Sequence, residues 1–337
     1  MARLSLSVVT DTLKLAQPFR IAGYVFETAD VLVVSLDDGV QRGRGEAAGA
    51  YYLGDDLANM RAAVEVARDA VEAGLTREEL RGVLPPGGAR NAIDAALWEL
   101  EAARAGRPVW ALAGLDAPPR PIVTTFTVSA DTPEAMAATA IGYAGAKSIK
   151  VKLTGAVDLD LSRVAAIRAA RPDVWLGVDG NQGFVRGDLE ALVAGLVEHR
   201  VSLLEQPLAR GCEAELEGFH SAIPLAGDES LLSLADVPGA VGRFDVVNIK
   251  LDKCGGLTEG LLMAAEARRL GLGVMVGTMI GTSLATAPGF ILGQSADLVD
   301  LDGPTFLSRD RSPAVSYTDG MLYAGPEVWG AGEPVPA

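Results

Sequence analysis

The chain has 337 residues and a formal net charge of −15. This excess of acid argues against a nucleic-acid partner, because phosphate binding needs a basic surface. An apolar fraction of 49% is ordinary for a globular protein and excludes a disordered chain, and two distant cysteines exclude a disulfide framework and a cysteine zinc site.

The first 118 residues are predicted to form an α+β domain. Apolar and β-branched residues predict strands, the dipeptide Asp38–Gly39 predicts a turn, and apolar residues at helical spacing predict helices. The predicted strands are 3–10 and 31–36, and the predicted helices are 57–72 and 90–104. Prolines 118, 119 and 121 mark the end of this domain. The N-terminus shows no secretory signal, so we expect a cytoplasmic protein.

From Ile122 onward, short apolar runs alternate with helical patterns, as in parallel βα units. Strands are predicted at 122–128, 148–153, 174–179, 202–205, 223–227, 244–250, 272–276 and 297–301. Helices are predicted at 133–145, 159–170, 187–198, 213–221, 231–240, 257–270 and 283–293. Eight such strands predict a (β/α)7β TIM-type barrel over residues 119–308, with the N-terminal α+β unit as a capping domain. The tail, 309–337, is expected to return to the N-terminal sheet and complete that domain.

Two other interpretations of this half of the chain are less favoured. An open, doubly wound sheet would gather its site at one switch point, whereas charged residues here end six strands. The uncharged run from Leu270 to Ala296 has the length of a membrane span, but its glycines and Pro288 favour a buried strand and helix. We therefore expect no membrane association.

Three of the predicted strands end in an acid. Asp179, Glu205 and Asp228 each follow the apolar core of a strand, and the three strands are consecutive. Any one of these acids could be a helix N-cap or a surface loop residue. Because the C-terminal ends of barrel strands converge on one mouth, the set predicts a common site. Carboxylates without cysteine or histidine suit Mg²⁺.

Lysines occupy the same end of two further strands. Lys150 and Lys152 are two residues apart and therefore point to the same side of one strand, and Lys250 ends a strand across the mouth. Cationic neighbours, namely Mg²⁺ and Lys150, would lower the pKa of Lys152 towards working pH, as a general base requires. Two bases facing one carbon beside a cation suit 1,1-proton transfer through an enediolate, which inverts that carbon.

The motifs KVK, VDGNQGF, EQP, GDES and NIKLDKCGG, in this order, resemble the enolase superfamily and its muconate-lactonising subgroup. The resemblance implies Mg²⁺ held by Asp179, Glu205 and Asp228. It also implies acid/base roles for Lys152 and Lys250.

Within that subgroup, Asp300-Leu301-Asp302 is similar to the DxD motif with which dipeptide epimerases hold the free ammonium of their substrate. The resemblance further implies substrate contacts by Thr127 and a supporting cationic role at the site for Lys150. Where Ala-Glu epimerases carry a specificity arginine in an N-terminal loop, this chain has Tyr24, and the nearby Arg20 could substitute for that arginine. The run Gly49-Ala50-Tyr51-Tyr52 is expected to form a second specificity loop or to anchor that loop to the barrel.

The expected activity is a Mg²⁺-dependent dipeptide epimerase that inverts the α-carbon of the C-terminal residue, with a small molecule as its partner. Alternatives that keep the site are an N-acyl amino acid racemase, a muconate-type cycloisomerase and an o-succinylbenzoate-synthase-like lyase. A barrel that serves only as a binding or assembly module would not need the lysines. The pattern is compatible with a homo-oligomer and leaves the side-chain specificity open.

Overall fold

The computed structural model describes residues 3–331. Its N-terminal part is an antiparallel sheet in the order β1-β2-β3, covered by helices. The strands are β1 (Ser5–Ile21), β2 (Tyr24–Asp37) and β3 (Arg42–Ala47), and the helices are α1 (Leu57–Glu72), α2 (Arg77–Val83), α3 (Gly88–Ala105) and α4 (Val109–Leu112). The predicted turn at Asp38–Gly39 joins β2 to β3.

The hairpin of β1 and β2 is much longer than the sequence pattern predicts. Beyond Thr10 the side chains of β1 are mostly exposed, so this stretch carries little apolar pattern. Backbone pairing with β2 nevertheless runs to Lys14, is interrupted by an irregularity, and resumes from Phe19 to Ile21, opposite Tyr24. The chain reverses at Gly23, whose φ of 75° suits glycine. The hairpin thereby extends well beyond the hydrophobic core of its own domain.

Helix α3 packs directly on β3. A Cβ atom at Gly43 would lie 2.0 Å from the carbonyl oxygen of Ala96, and one at Gly45 would lie 2.1 Å from that of Ala92. Only glycine permits this approach of helix and strand backbones. The two glycines are therefore packing residues of the capping domain.

The second part is an eight-stranded parallel sheet whose strands follow one another in chain order. They are β5 (Thr125–Val128), β6 (Ser148–Lys152), β7 (Trp175–Asp179), β8 (Leu203–Glu205), β9 (Leu225–Gly227), β10 (Val246–Lys250), β11 (Gly273–Gly277) and β12 (Leu298–Asp300). The helices are α5 (Pro133–Gly142), α6 (Val157–Ala170), α7 (Leu189–Glu198), α8 (Leu251–Cys254), α9 (Leu257–Arg269) and α10 (Ser283–Gly293). The predicted fold class, a TIM-type barrel with an α+β capping domain, is confirmed.

Hydrogen bonds between residues 124–127, in and next to the first barrel strand, and residues that follow the last strand close the barrel. The hydroxyl of Thr124 accepts a hydrogen bond from the backbone N–H of Leu301 at 2.9 Å. The backbone N–H of Thr127 donates to the Oδ2 atom of Asp302 at 2.6 Å. Closure therefore brings the DxD segment against β5, although about 175 residues separate them.

Several elements differ locally from the predictions. The strand predicted at 122–128 is divided, because β4 (Ile122–Val123) leaves the barrel and pairs with β14 (Met321–Tyr323), which pairs with β13 (Ser316–Thr318). The helices predicted at 213–221 and 231–240 are short 3₁₀ turns, Glu213–Leu216 and Leu234–Ala240. Pro238 lies inside the second turn and lacks the N–H that an α-helix would use.

The tail reaches the N-terminal sheet after the β13–β14 hairpin. The indole N–H of Trp329 donates to the carbonyl oxygen of Arg44 in β3 at 3.0 Å, and the backbone N–H of Gly330 donates to Glu99 in α3 at 3.1 Å. The residue limits of the two domains, and completion of the first by 309–337, stay predictions. The uncharged run contributes β11 and α10, and no helix within residues 3–331 is long and apolar enough to cross a membrane.

Candidate active site

Three carboxylates converge at the C-terminal mouth of the barrel. Asp179 and Glu205 are the last residues of β7 and β8, and Asp228 directly follows β9. Ligand oxygens from the three acids all lie within 4.8 Å of one another, and the side chains are fully buried. Asp179 pairs in register with Glu205, so the parallel ladder itself brings these two acids together. A set of oxygen donors this close and this buried fits a hard divalent cation such as Mg²⁺.

The predicted lysines pair directly with these acids. The ammonium nitrogen of Lys152 lies 2.7 Å from Asp179 Oδ2, that of Lys250 lies 2.5 Å from Asp228 Oδ2, and that of Lys150 lies 2.7 Å from Glu205 Oε2. An isolated charge in this position would be costly, and pairing offsets much of that cost. The expectation that carboxylates compensate the buried lysine pair agrees with this geometry.

The pKa values at the mouth follow from burial and from this pairing. Burial, together with the Asp179 carboxylate, raises the pKa of Glu205 to about 7. Burial opposes ionisation of Asp228 as well, but the Lys250 and Lys253 ammonium groups hold its pKa well below the usual range. The pKa of Lys250 is raised because the Asp228 carboxylate outweighs the effect of burial. A cation bound by these acids would compete with the ammonium groups for the same oxygens, and it would thereby lower the pKa of Lys250.

Asp300 and Asp302 differ in their partners. Asp300 accepts hydrogen bonds from Lys150, at 2.8 Å, and from the hydroxyl of Thr125. Asp302 accepts from the backbone N–H of Thr127. Burial and the neighbouring Asp300 carboxylate raise the pKa of Asp302 to about 7, whereas Lys150 outweighs burial and lowers the pKa of Asp300. Asp302 therefore retains more capacity for a further cationic partner.

A cavity of about 390 Å³ lies between the barrel mouth and the capping domain. Six of the predicted site residues line it: Thr127, Lys152, Asp228, Lys250, Asp300 and Asp302. Lys150, Asp179 and Glu205 are buried beneath it. The cavity has the size of a small-molecule site. The predicted lysines and acids line its barrel side, and Asp30, Asp55 and Asp56 line it from the capping domain.

Two predicted specificity residues lie outside the cavity lining. Arg20 is partly exposed and has its guanidinium 3.7 Å from Asp131. Tyr24 is 48% exposed and contacts the lining through the rings of Phe26 and Tyr51. A substrate contact by either residue stays a prediction. Tyr51 and Tyr52 do line the cavity, as expected of the second specificity loop.

Comparison with known proteins assigns the family. Residues 134–330 match the family described as enolase C-terminal domain-like, and residues 3–114 match the N-terminal domain of the mandelate racemase/muconate lactonizing enzymes. The chain belongs to the enolase superfamily.

Among superfamily members, this chain is similar to several epimerases. It is 40% identical over 321 residues to the L-Ala-D/L-Glu epimerase of Escherichia coli, which covers 95% of this chain and 99% of the relative. An Agrobacterium tumefaciens enolase family member, solved with sodium and L-Ala-L-Glu, is 40% identical with a TM-score of 0.94 over 97% of this chain and 100% of that chain. A dipeptide epimerase from Enterococcus faecalis, solved with Mg and L-Leu-L-Tyr, is 27% identical with a TM-score of 0.91 over 98% and 99%.

The superfamily motifs of this chain contain two residues that the sequence reasoning did not assign. Lys253, in NIKLDKCGG, is fully buried, and its ammonium group donates to Asp228 Oδ1 and to the Asp228 carbonyl, both at 2.5 Å. Glu229, in GDES, lines the cavity, and its buried Oε2 atom has no hydrogen-bond partner within the described residues. Burial, with the Asp228 carboxylate beside it, raises the pKa of Glu229 to about 8. Membership of a motif was the available signal, since neither residue ends an apolar run.

Substitution of Lys253 tests how far this superfamily site depends on buried ion pairs. Lys253→Met keeps the volume but leaves Asp228 with one ammonium partner fewer. We expect the free energy of unfolding, measured in urea without divalent cations, to fall by about 3–5 kcal/mol, as is typical when one partner of a buried pair is removed. The control is Lys147→Met. Lys147 is exposed and immediately precedes β6, at the end of the strand away from the barrel mouth, so we expect little change in the free energy of unfolding. A Lys253→Met protein as stable as the control would show that the ion pair between Lys253 and Asp228 does not stabilise the fold.

Proposed function

We propose that the protein is a Mg²⁺-dependent dipeptide epimerase that inverts the α-carbon of the C-terminal residue. The observation that carries the proposal is the placement of Lys152 and Lys250. They end β6 and β10, the second and sixth of eight consecutive barrel strands, so they face each other across the mouth and line the same cavity. Inversion by 1,1-proton transfer requires two acid/base groups on opposite sides of one carbon.

The acids divide the remaining tasks. Asp179, Glu205 and Asp228 would hold Mg²⁺, which would neutralise charge on the substrate carboxylate as the α-proton leaves. Asp302, supported by Asp300, would bind the α-ammonium of the dipeptide through charge-assisted hydrogen bonds. With both ends of the substrate held, the α-carbon lies between the two lysines. One lysine, in its neutral form, accepts the α-proton, and the other, as an ammonium, returns a proton to the opposite face of the resulting enediolate.

Deuterium exchange tests this function. Incubation of the protein with Mg²⁺ and a panel of dipeptides in D₂O should place deuterium at the α-carbon of the C-terminal residue, with formation of the other epimer, as followed by NMR. Absence of exchange in every dipeptide would refute the proposal.

The second candidate is an N-acyl amino acid racemase, which uses the same metal site and lysines. It is favoured by one observation, the engagement of Asp300 with Lys150 and Thr125, which leaves that acid less available to an ammonium group. Activity on N-acetyl amino acids that survives Asp302→Asn would support this candidate, because such substrates have no ammonium group for Asp302 to bind.

The pKa of Asp302 predicts a pH dependence of dipeptide binding. Because this pKa is raised to about 7, Asp302 is charged above that pH and neutral below it. The dissociation constant of a dipeptide should therefore rise as pH falls below about 7, by up to about tenfold per pH unit. Calorimetry with the Lys250→Ala variant, which should not convert one epimer into the other, measures this constant in the presence of Mg²⁺.

Asp302→Asn in the same background is the control. It should bind the dipeptide weakly and with no inflection near pH 7. An unchanged pH profile in the Asn variant would show that another group controls binding.

A further inference from the structure

The cavity has two chemically different walls. The barrel wall carries the lysines and acids already described. The opposite wall, here called the cap wall, is formed mainly by apolar side chains of the capping domain and of loops that face it: Phe19, Ile21, Phe26, Tyr51, Ile280 and Phe306. If the carboxylate and ammonium groups of a dipeptide contact the barrel wall, the side chain of its C-terminal residue faces the cap wall.

Aromatic contacts hold the cap wall in place. The rings of Phe19 and Phe306 meet edge to face with centroids 4.8 Å apart, which joins β1 to the loop after β12. The rings of Phe26 and Tyr51 meet in the same way at 5.1 Å, and Tyr52 packs on Tyr51 at 5.1 Å. Such pairs add stability beyond the burial of their area, so they link the segments that form the wall.

Within the described part of the chain, no residue of the cap wall supplies a cation for an acidic side chain. Among the described residues that line the cavity, the cations are Lys152 and Lys250, and both pair with acids of the metal site. Arg20 lies outside the lining, next to Asp131. A glutamate side chain would therefore enter the cavity without a partner for its charge, which is unfavourable.

Three acids at the rim of the cavity, Asp30, Asp55 and Asp56, each already accept a hydrogen bond from the protein, which reduces their capacity to bind a basic side chain. Asp55 accepts a hydrogen bond from the backbone N–H of Gly88 at 2.6 Å, and Asp56 accepts from that of Asn59 at 2.8 Å. Asp30 accepts from the hydroxyl of Thr12 at 2.6 Å. The lack of a free charged partner among the described residues and the apolar surface of the cap wall together favour a substrate side chain that is uncharged and apolar.

We infer that the substrates are dipeptides whose C-terminal residue carries an apolar side chain, such as leucine or phenylalanine. This inference rests on the proposed function and specifies its substrate class. It departs from the two relatives at 40% identity, whose names or bound ligand involve glutamate. Phe26 contributes to this preference, because it lines the cavity and packs on Tyr51.

The first test compares kcat/KM for L-Ala-L-Leu, L-Ala-L-Phe, L-Ala-L-Glu and L-Ala-L-Lys. Burial of one apolar side chain corresponds to a preference of at least about tenfold for the first two over the others. Equal or higher kcat/KM for the glutamate or lysine dipeptide would overturn the inference while the proposed function stands. Failure of all four to exchange their α-proton would instead refute both.

The second test moves charge onto the cap wall. Phe26→Arg should raise kcat/KM for L-Ala-L-Glu and lower it for L-Ala-L-Leu, which shifts their ratio by at least about tenfold. Val25→Arg is the matched control, since Val25 is the adjacent residue on β2, is 62% exposed and lies outside the lining. It adds the same charge on the other side of the strand and should leave the ratio unchanged.

A third variant guards against loss of structure in Phe26→Arg. Phe26→Ala should lower kcat/KM for L-Ala-L-Leu several-fold and leave that for L-Ala-L-Glu nearly unchanged. An unchanged ratio in both Phe26 variants would overturn the assignment of the cap wall as the specificity surface.

Discussion

Lys152→Ala and Lys250→Ala should each abolish epimerisation in both directions, with a fall in kcat of at least about 10³-fold, within the range typical of a lost acid/base group. Each variant should still exchange the α-proton of one epimer with solvent, because the remaining lysine can remove and return a proton on its own face. The two variants should retain exchange with opposite epimers. NMR of each epimer in D₂O measures both the exchange and the inversion.

The matched control for these variants is Lys147→Ala. Lys147 is exposed and immediately precedes β6, at the end of the strand away from the mouth, so its removal should not affect exchange or inversion. If either active-site variant exchanged both epimers, or if both variants retained the same epimer, the assignment of one lysine to each face would be wrong.

Removal of divalent cations should eliminate activity and lower thermal stability. The three carboxylates lie within 4.8 Å of one another, and a cation bound among them would relieve their mutual repulsion. At 100 times its dissociation constant, a ligand that binds only the folded state adds about 2.7 kcal/mol of stability. Addition of Mg²⁺ after treatment with EDTA should therefore raise the melting temperature by several degrees and restore turnover.

Substitution distinguishes the acidic site from weak binding of Mg²⁺ elsewhere. Asp179→Asn and Glu205→Gln should reduce or remove the shift in melting temperature and should reduce turnover by at least about 10³-fold at the Mg²⁺ concentration that saturates the unmodified protein. Glu198→Gln, at the exposed end of α7, should leave both unchanged. A full Mg²⁺-dependent shift in Asp179→Asn and Glu205→Gln would place the cation outside these carboxylates.

Much of the site was predictable because its charged residues lie at the C-terminal ends of the strands in a repeated strand–helix unit. Asp179, Glu205, Lys152 and Lys250 are the final residues of short apolar strands, and parallel strands in a barrel direct those ends to one mouth. The regular alternation of strand and helix likewise predicted the barrel, because each unit repeats the same pattern along the chain. Lys253 and Glu229 were missed because they follow the strand ends, where the apolar pattern has already stopped.

The fold predictions were weakest where the backbone pairing of a strand does not follow the pattern of apolar residues in the sequence. Residues 11–21 extend β1 through backbone hydrogen bonds while most of their side chains face solvent. Residues 122–128 have one continuous pattern, yet β4 pairs with the distant β14 and only β5 enters the barrel. Local sequence cannot show which partner strand will be available.

By itself, the sequence determined the barrel, the capping domain, the acidic triad and the two facing lysines, since each depends on residue type and a regular spacing along the chain. Only the tertiary structure decided which residues form the cap wall. Phe19 meets Phe306, and Phe26 meets Tyr51, because the long hairpin places β1 and β2 over the barrel mouth. These contacts join surfaces that are remote in sequence, and no local periodicity encodes them. The sequence indicated Tyr24 and Arg20 as specificity residues, whereas in the structure Phe26, on the same face of β2 as Tyr24, lines the cavity.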